Sequence, residues 1–277
     1  RKIRLVHTFH GHVFHSYFGS FKTAAFMRIE RFLARFTDRI IVISATQEED
    51  ICGKYRIAHP RQVKVIPLGF DLSGFEQLNS PAPQGTFSVG IVGRLAPVKN
   101  HRMLLEAVRI LKDQGEDHAF SFYVVGDGEL RETLEREAAT LGIQRSVMFT
   151  GWQKDMPEVY RKLDAVVLTS LNEGTPVSLI EAMAAARPVM AADVGGVRDL
   201  MGPVDTVRGE GYKLARHGVL VPSRDSRALA EALRFVSRDK TLMVEMAERA
   251  RKHVLQTYSL ERLVGDMTAL YEGLLRS

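Results

Sequence analysis

The chain has 277 residues and a formal charge of +5, with 45% hydrophobic and 26% charged residues, which supports a sizeable core in one or two domains. A single cysteine, Cys52, excludes an internal disulfide and a thiol-based zinc set, and fits a reducing compartment. No apolar stretch approaches transmembrane length and no signal peptide is visible; the positive charge favours anionic partners, although no nucleic-acid motif is present.

From Ile3 onward, apolar strands alternate with amphipathic helices, the pattern of parallel sheets covered on both faces. A first unit contains strands at Ile3–Phe9, Ile40–Ser44 and Val63–Ile66 and ends in the loop Pro67 to Gly85, with Ser80-Pro81-Ala82-Pro83 as linker. Where its first strand ends, His7, His10, His12 and His15 fall within nine residues. Imidazoles are common metal ligands, yet no carboxylate or cysteine cluster accompanies them, so no metal is expected. The helix predicted over Phe21 to Arg39 carries a basic stripe of Arg28, Arg31, Arg35 and Arg39. Beside it runs an apolar stripe of Ala25, Ile29, Phe32, Leu33 and Phe36. Packing of the apolar stripe on the sheet is the expectation; contact with an anionic membrane surface is the alternative.

A second unit holds strands near Phe87, Phe120, Val147, Ala165, Val189 and Val219 with helices between, a complete Rossmann-like half. Directly after its first strand stands Gly93-Arg94-Leu95-Ala96-Pro97-Val98-Lys99-Asn100. Its two cations, a planar fork and a mobile ammonium, suit an anionic ligand. Phe122 to Leu130 runs from a strand through Gly126-Asp127-Gly128 toward a helix. The dinucleotide fingerprint fails there, because Arg131 stands where a third glycine is required. Val147 to Trp152 ends another strand at Gly151, and Trp152 is equally readable as core or as stacking partner.

The most informative segment is Glu173-Gly174-Thr175-Pro176-Val177-Ser178-Leu179-Ile180-Glu181-Ala182, which follows the strand Ala165-Val166-Val167-Leu168. Gly174 suits a tight turn and Pro176 and Ser178 suit a helix start. The N–H groups of Thr175 to Ser178 would then face a crevice where the helix dipole favours an anion. Glu173 and Glu181 lie about two helical turns apart and can share one side of the site, one gripping ribose hydroxyls and the other reaching a sugar. Between Leu200 and His217 a glycine-rich, charged insertion reads as a surface loop. Helices Arg227 to Arg238 and Lys240 to Leu275 complete the chain, with a break near Thr257-Tyr258-Ser259.

The E-G-x-P-x-x-x-x-E-A segment resembles the nucleotide-sugar signature of family 4 retaining glycosyltransferases, also called glycosyl transferases group 1, of the GT-B fold. The G-R-x-x-x-x-K, G-x-G-x-L and strand-end T-x-H-G segments resemble further elements of that family in the same order. The resemblance implies an α/β GT-B architecture of two Rossmann-like domains with parallel sheets. The expected division is 1–83 as the C-terminal part of an incomplete acceptor-side domain, 84–256 as the nucleotide-sugar domain, and 257–277 as a helix crossing back. A GT-B N-terminal domain usually begins with several further βα units, so truncation at the N-terminus is expected.

In that family the Arg94 and Lys99 positions hold the donor diphosphate, Gly126 and Gly128 form a turn near the donor, and the Gly151 loop lies against the base. Glu181 is expected on ribose and Glu173 near the donor sugar, with Gly93, Gly174, Thr175, Pro176, Val177 and Ser178 around the phosphates. His10 is the best match for the histidine near the reaction centre, with His12 second. The implied activity is hexosyl transfer with retention from a nucleoside diphosphate sugar, UDP-linked by expectation, to an acceptor hydroxyl in glycan, glycolipid or polysaccharide synthesis. No cofactor, metal or nucleic acid is expected, and the implied location is the cytoplasm or the inner face of the cytoplasmic membrane. A nucleotide-sugar epimerase of the same fold, or a non-catalytic binding protein for the same ligand, remains open at this point.

Overall fold

The structure, a computed structural model, describes residues 3–10, 20–81, 85–208 and 211–276. They form two compact units, Arg1–Asp71 with Gln256–Ser277, and Leu72–Leu255.

In the first unit, β1 (Val6–Phe9), α1 (Ser20–Ala34), β2 (Arg39–Val42), α2 (Ala45–Glu49) and β3 (Val63–Val65) build a three-stranded sheet in the order β1-β2-β3. Both pairings are parallel, with His7 opposite Ile40 and Ile40 opposite Val63. Phe9, Ala34, Ile40, Val42, Ile51, Ile57 and Val63 form its core. Asp38 ties the sheet edge, accepting from the Leu5 N–H at 2.8 Å and the Arg4 guanidinium at 3.0 Å, bonds that hold its carboxyl below the usual range. The C-terminal helix belongs here too: Arg262 donates to the carbonyls of Pro67 at 2.8 Å and Leu68 at 2.6 Å.

Two expectations for this unit change. The helix predicted to reach Arg39 ends at Ala34, and Arg39 is the first residue of β2, because the Ile40–Val42 run is claimed by the sheet. Packing of the apolar stripe on the sheet is overturned as well: Ile29, Phe32, Leu33 and Phe36 are exposed, and among the described side chains of this helix only Ala34 enters the core. Arg31 is exposed as the solvated row predicts, and it also donates to the Tyr55 carbonyl at 2.6 Å.

The second unit begins earlier than the linker composition suggests. Within it, α3 (Ser73–Glu76) sets the Phe75 ring edge-on to Tyr160 at 5.6 Å, and Arg187 donates to the Asn79 carbonyl at 2.6 Å. These contacts tie 72–81 to the larger sheet's own helices and loops, so the boundary falls at Asp71 instead of Pro83. The elements then run β4 (Phe87–Val92), α4 (Arg102–Asp113), β5 (Phe120–Val125), α5 (Arg131–Thr140), β6 (Val147–Gly151), α6 (Met156–Arg161), β7 (Ala165–Leu168), α7 (Val177–Ala184), β8 (Val189–Ala192) and α8 (Val197–Met201). They finish with β9 (Val204–Arg208), β10 (Tyr212–Ala215), β11 (Gly218–Val221), α9 (Ser226–Arg238), α10 (Lys240–Thr257) and α11 (Leu260–Arg276), the last belonging to the first unit.

The sheet order is β6-β5-β4-β7-β8-β11-β10-β9. Every residue of β7, β8 and β11 is buried, which is why these strands read as unbroken apolar runs. On one face α4 buries Met103, Leu104, Ala107, Val108 and Leu111 at helical spacing. Beside it packs α9, started by Asp225, whose carboxylate accepts from the Ala228 N–H at 2.9 Å. The segment expected as a surface loop over 200–217 is in fact an antiparallel extension of the sheet through β9 and β10. All of β9 is exposed, so it lacks the apolar alternation that reveals a half-buried strand.

This unit buries imidazoles. Burial, reinforced by Lys99, pushes His101 down to about 4, and burial with His217 and Arg216 pushes His253 down to about 4. Their ordinary value is 6.5, so between pH 6.5 and about 4 the unfolded chain takes up protons that the folded chain refuses. Stability present above pH 6.5 is therefore expected to fall as the pH is lowered through this window. Urea midpoints at four pH values test this, and a His101→Gln variant with an undiminished slope would count against it.

Candidate active site

Three loops at the carboxyl ends of β4, β5 and β6 are stitched together by main-chain hydrogen bonds. The Gly93 N–H donates to the Val125 carbonyl at 3.0 Å, the Gly126 N–H to the Gly151 carbonyl at 2.9 Å, and the Leu95 N–H to the Asp127 carbonyl at 2.9 Å. Gly126 has φ +130, and a Cβ there would lie 2.1 Å from the Gly93 carbonyl oxygen, so the two loops meet only because a glycine stands there. Gly128 serves the same approach, passing against the backbone of Leu95.

Lys99 ends a 3₁₀ turn over Pro97–Lys99, and Asn100 follows at φ 49, a left-handed conformation that asparagine tolerates. The loop after β7 fixes this turn: the Thr169 hydroxyl donates to the Lys99 carbonyl at 2.9 Å, and the Leu171 N–H to the Val98 carbonyl at 2.8 Å. The Lys99 ammonium then lies 2.6 Å from Glu173 Oε1, which also accepts from the Ser170 hydroxyl at 2.6 Å. The Glu173 side chain is only 10% exposed, so this pair is screened less than a surface pair. Arg94 differs: its guanidinium is 73% exposed and paired at 3.1 Å with a half-exposed Glu129. Such an exposed pair is screened by solvent and holds Arg94 weakly.

The Glu173-Gly174 turn is backed by the loop after β8. The Gly196 N–H donates to the Glu173 carbonyl at 3.0 Å, and Cβ atoms on Gly195 and Gly196 would lie 2.2 Å and 1.7 Å from the carbonyl oxygens of Glu173 and Gly174. Pro176 caps α7, and its carbonyl accepts from the N–H groups of Leu179 and Ile180. Proline has no N–H, so the open donors of the first turn of α7 are those of Val177 and Ser178, and Pro176 lines the cavity without adding a donor. Leu179, Ile180, Ala182, Met183 and Ala184 are buried and anchor the helix. Glu181 projects from the same turn; burial raises its carboxyl above the usual range, opposed by a hydrogen bond from the Tyr160 hydroxyl at 3.0 Å.

These groups surround one cavity of about 690 Å³. Gly93, Arg94, Lys99, Gly126, Glu173, Thr175, Pro176, Val177, Ser178 and Glu181 line it; Gly128, Gly151 and Gly174 stand behind as backbone supports and do not. Asp127, Trp152, Gln153, Lys154 and Met156 line it as well. Trp152 is 72% exposed, which removes the core reading. Ser170, Gly195, Gly196 and Tyr160 went unmarked in the sequence, although a Gly-Gly pair just past an apolar strand was a usable sign of close backbone approach. His10 follows β1 in the first unit and is exposed, while His12 and His15 lie outside the described residues. Among the described residues no cluster of three or more His, Cys, Asp or Glu side chains is placed to hold a metal ion. None of their helices is long and apolar enough to cross a membrane.

Cations, a buried carboxylate and open helix N–H groups at the carboxyl ends of parallel strands define an α/β unit built for an anion-bearing ligand. The chain belongs to the glycosyl transferases group 1 family, which matches residues 76–253, while residues 1–73 match Glycosyltransferase Family 4. The UDP-Gal:alpha-D-GlcNAc-diphosphoundecaprenol alpha-1,3-galactosyltransferase of Escherichia coli is 27% identical over 277 residues, covering 96% of this chain and 68% of that protein. A D-inositol 3-phosphate glycosyltransferase of Salinispora arenicola is 31% identical over 84% of this chain and 54% of its own length. The chain thus spans between about half and two thirds of these relatives. Anabaena HepE, crystallised in complex with UDP, superposes with a TM-score of 0.80 at 22% identity, over 98% of this chain and 72% of that one. The fold is the GT-B fold expected from the sequence.

Proposed function

We propose that the chain transfers a sugar, with retention, from a UDP-linked donor to a hydroxyl of a glycan or lipid-linked acceptor. The observation that carries this reading is the convergence of Lys99, Glu173, the first turn of α7 and Glu181 on one cavity. Lys99, with two ammonium protons not used by Glu173, and the exposed Arg94 take the diphosphate together with the Val177 and Ser178 N–H groups. Glu181 takes ribose hydroxyls and Glu173 the donor sugar. As the bond between anomeric carbon and phosphate oxygen breaks, these cations stabilise the departing diphosphate, whose oxygen accepts the proton of the attacking hydroxyl. No metal and no covalent enzyme intermediate enter this scheme. His10 is assigned to the reaction centre by the likeness of Thr8-Phe9-His10-Gly11 to the family's T-x-H-G segment.

Support for the donor and acceptor comes from the Escherichia coli relative, whose name specifies UDP-Gal and a diphosphoundecaprenol-linked sugar, and from the UDP bound to HepE. A lipid-linked acceptor would place the chain in the cytoplasm at the inner membrane face, where the exposed Phe32 and Phe36 beside Arg28 and Arg35 suit an anionic surface.

The two glutamates provide the test. Glu181→Ala is expected to weaken UDP about tenfold, the loss of one charge-assisted contact. Glu173→Ala releases the Lys99 ammonium, so its affinity for UDP should hold or rise while the preference for UDP-sugar over UDP is lost. Calorimetric titration of both ligands against both variants measures this, and equal losses throughout would contradict the assignment.

A further inference from the structure

Tyr160 closes α6 and is completely buried, with Phe75 edge-on to its ring. It does not line the cavity. Its hydroxyl lies 3.0 Å from Glu181 Oε2 and 2.9 Å from the Ser178 carbonyl oxygen, so one proton can serve either of two acceptors on the first turns of α7. Phenylalanine would fill this apolar position without burying a polar atom, whereas a buried hydroxyl is costly unless bonded. The hydroxyl therefore depends on these two acceptors, of which Glu181 is the one that faces the cavity.

The surroundings of that carboxylate sharpen the point. Burial works against its ionised form, and the Tyr160 hydrogen bond is the one interaction opposing burial. The charged groups sharing the cavity are otherwise engaged or distinct: Lys99 is held by Glu173, Arg94 by Glu129, and Asp127 by Arg131, while Lys154 lies in the loop after β6. With Oε2 committed to the phenol, Oε1 is the oxygen left to accept from a ligand.

We infer that Tyr160 is a positioning residue, whose buried hydroxyl fixes Oε2 of Glu181 and so turns the carboxylate that its second oxygen receives the ribose hydroxyls of the donor. The inference rests on the proposed role of Glu181 in gripping ribose. Tyr160 itself touches no ligand; it couples ribose recognition to the turn whose N–H groups face the diphosphate.

Removing the hydroxyl by Tyr160→Phe keeps the ring and leaves burial unopposed, so the Glu181 carboxyl should take up its proton at higher pH. A protonated carboxyl accepts less well from ribose. UDP affinity is therefore expected to drop about tenfold at the acid end of the range and less at its alkaline end, with the acid limb moved upward relative to the parent. Inorganic pyrophosphate, which has no ribose, should bind parent and variant alike. Calorimetric titration of UDP and pyrophosphate from pH 5 to 8 against the parent, Tyr160→Phe and Glu181→Gln, with melting temperatures alongside, separates the outcomes. If Glu181→Gln weakens UDP while Tyr160→Phe leaves the acid limb in place, the inference is overturned and the ribose assignment stands. If Tyr160→Phe weakens UDP and pyrophosphate equally at every pH, its role is only to support the fold and the inference likewise fails. If Glu181→Gln does not affect UDP, the ribose assignment itself fails.

Discussion

Lys99→Ala is expected to lower the rate of sugar transfer about a hundredfold with little change in melting temperature. The ammonium sits 2.6 Å from Glu173 and lines the cavity with protons to spare for a diphosphate. Negative charge grows on that group as the glycosidic bond breaks, and deleting one preorganised contact to developing charge typically costs about 3 kcal/mol in the transition state. The fold should persist because the turn is held by main-chain acceptors, the Lys99 carbonyl for Thr169 and the Val98 carbonyl for Leu171, neither of which needs the side chain. Glu173 loses its cation but keeps the Ser170 hydroxyl. Lys99→Arg restores a charge with a different shape and should recover part of the rate. Steady-state transfer assays beside thermal melts decide the matter, and an unchanged kcat in Lys99→Ala would refute the diphosphate role.

Gly196→Ala should damage both stability and ligand binding. A Cβ at this position would stand 1.7 Å from the Gly174 carbonyl oxygen, a backbone atom that no rotamer change can move aside. Either the loop after β8 retreats or the Glu173-Gly174 turn is displaced, and the 3.0 Å bond from the Gly196 N–H to the Glu173 carbonyl is lost in both cases. Overpacking of this kind costs on the order of 3 kcal/mol. Because the displaced turn carries Glu173 and leads into the first turn of α7, affinity for UDP should fall more than tenfold. Gly174→Ala makes the useful contrast, since a Cβ there meets nothing within 4 Å and should be tolerated. A Gly196→Ala variant with parental stability and UDP affinity would show that the turn is not held from behind.

The pieces whose cause is local are legible in the chain alone. Strands β4 to β8 announced themselves as apolar runs, the Glu173–Ala182 segment showed a glycine turn entering a helix, and the cations of Gly93–Asn100 followed a strand end. Each depends on neighbours a few residues away, so periodicity and turn chemistry sufficed to place them. What those pieces do to one another depends on how they pack. Lys99 and Glu173 are 74 positions apart, and they meet because β4 pairs with β7 in the sheet, an adjacency no local pattern encodes. The same holds for Gly195 and Gly196, whose smallness matters only because another loop's carbonyls press on them, and for Tyr160, whose hydroxyl has meaning only once α6 packs against α7. Conversely, β9 was invisible as a strand because its partner β10 stabilises it through backbone hydrogen bonds while its side chains stay in solvent. Strand order and close backbone approach are collective outcomes of packing, and that is why the chemistry of single residues was legible in the chain while their partnerships were not.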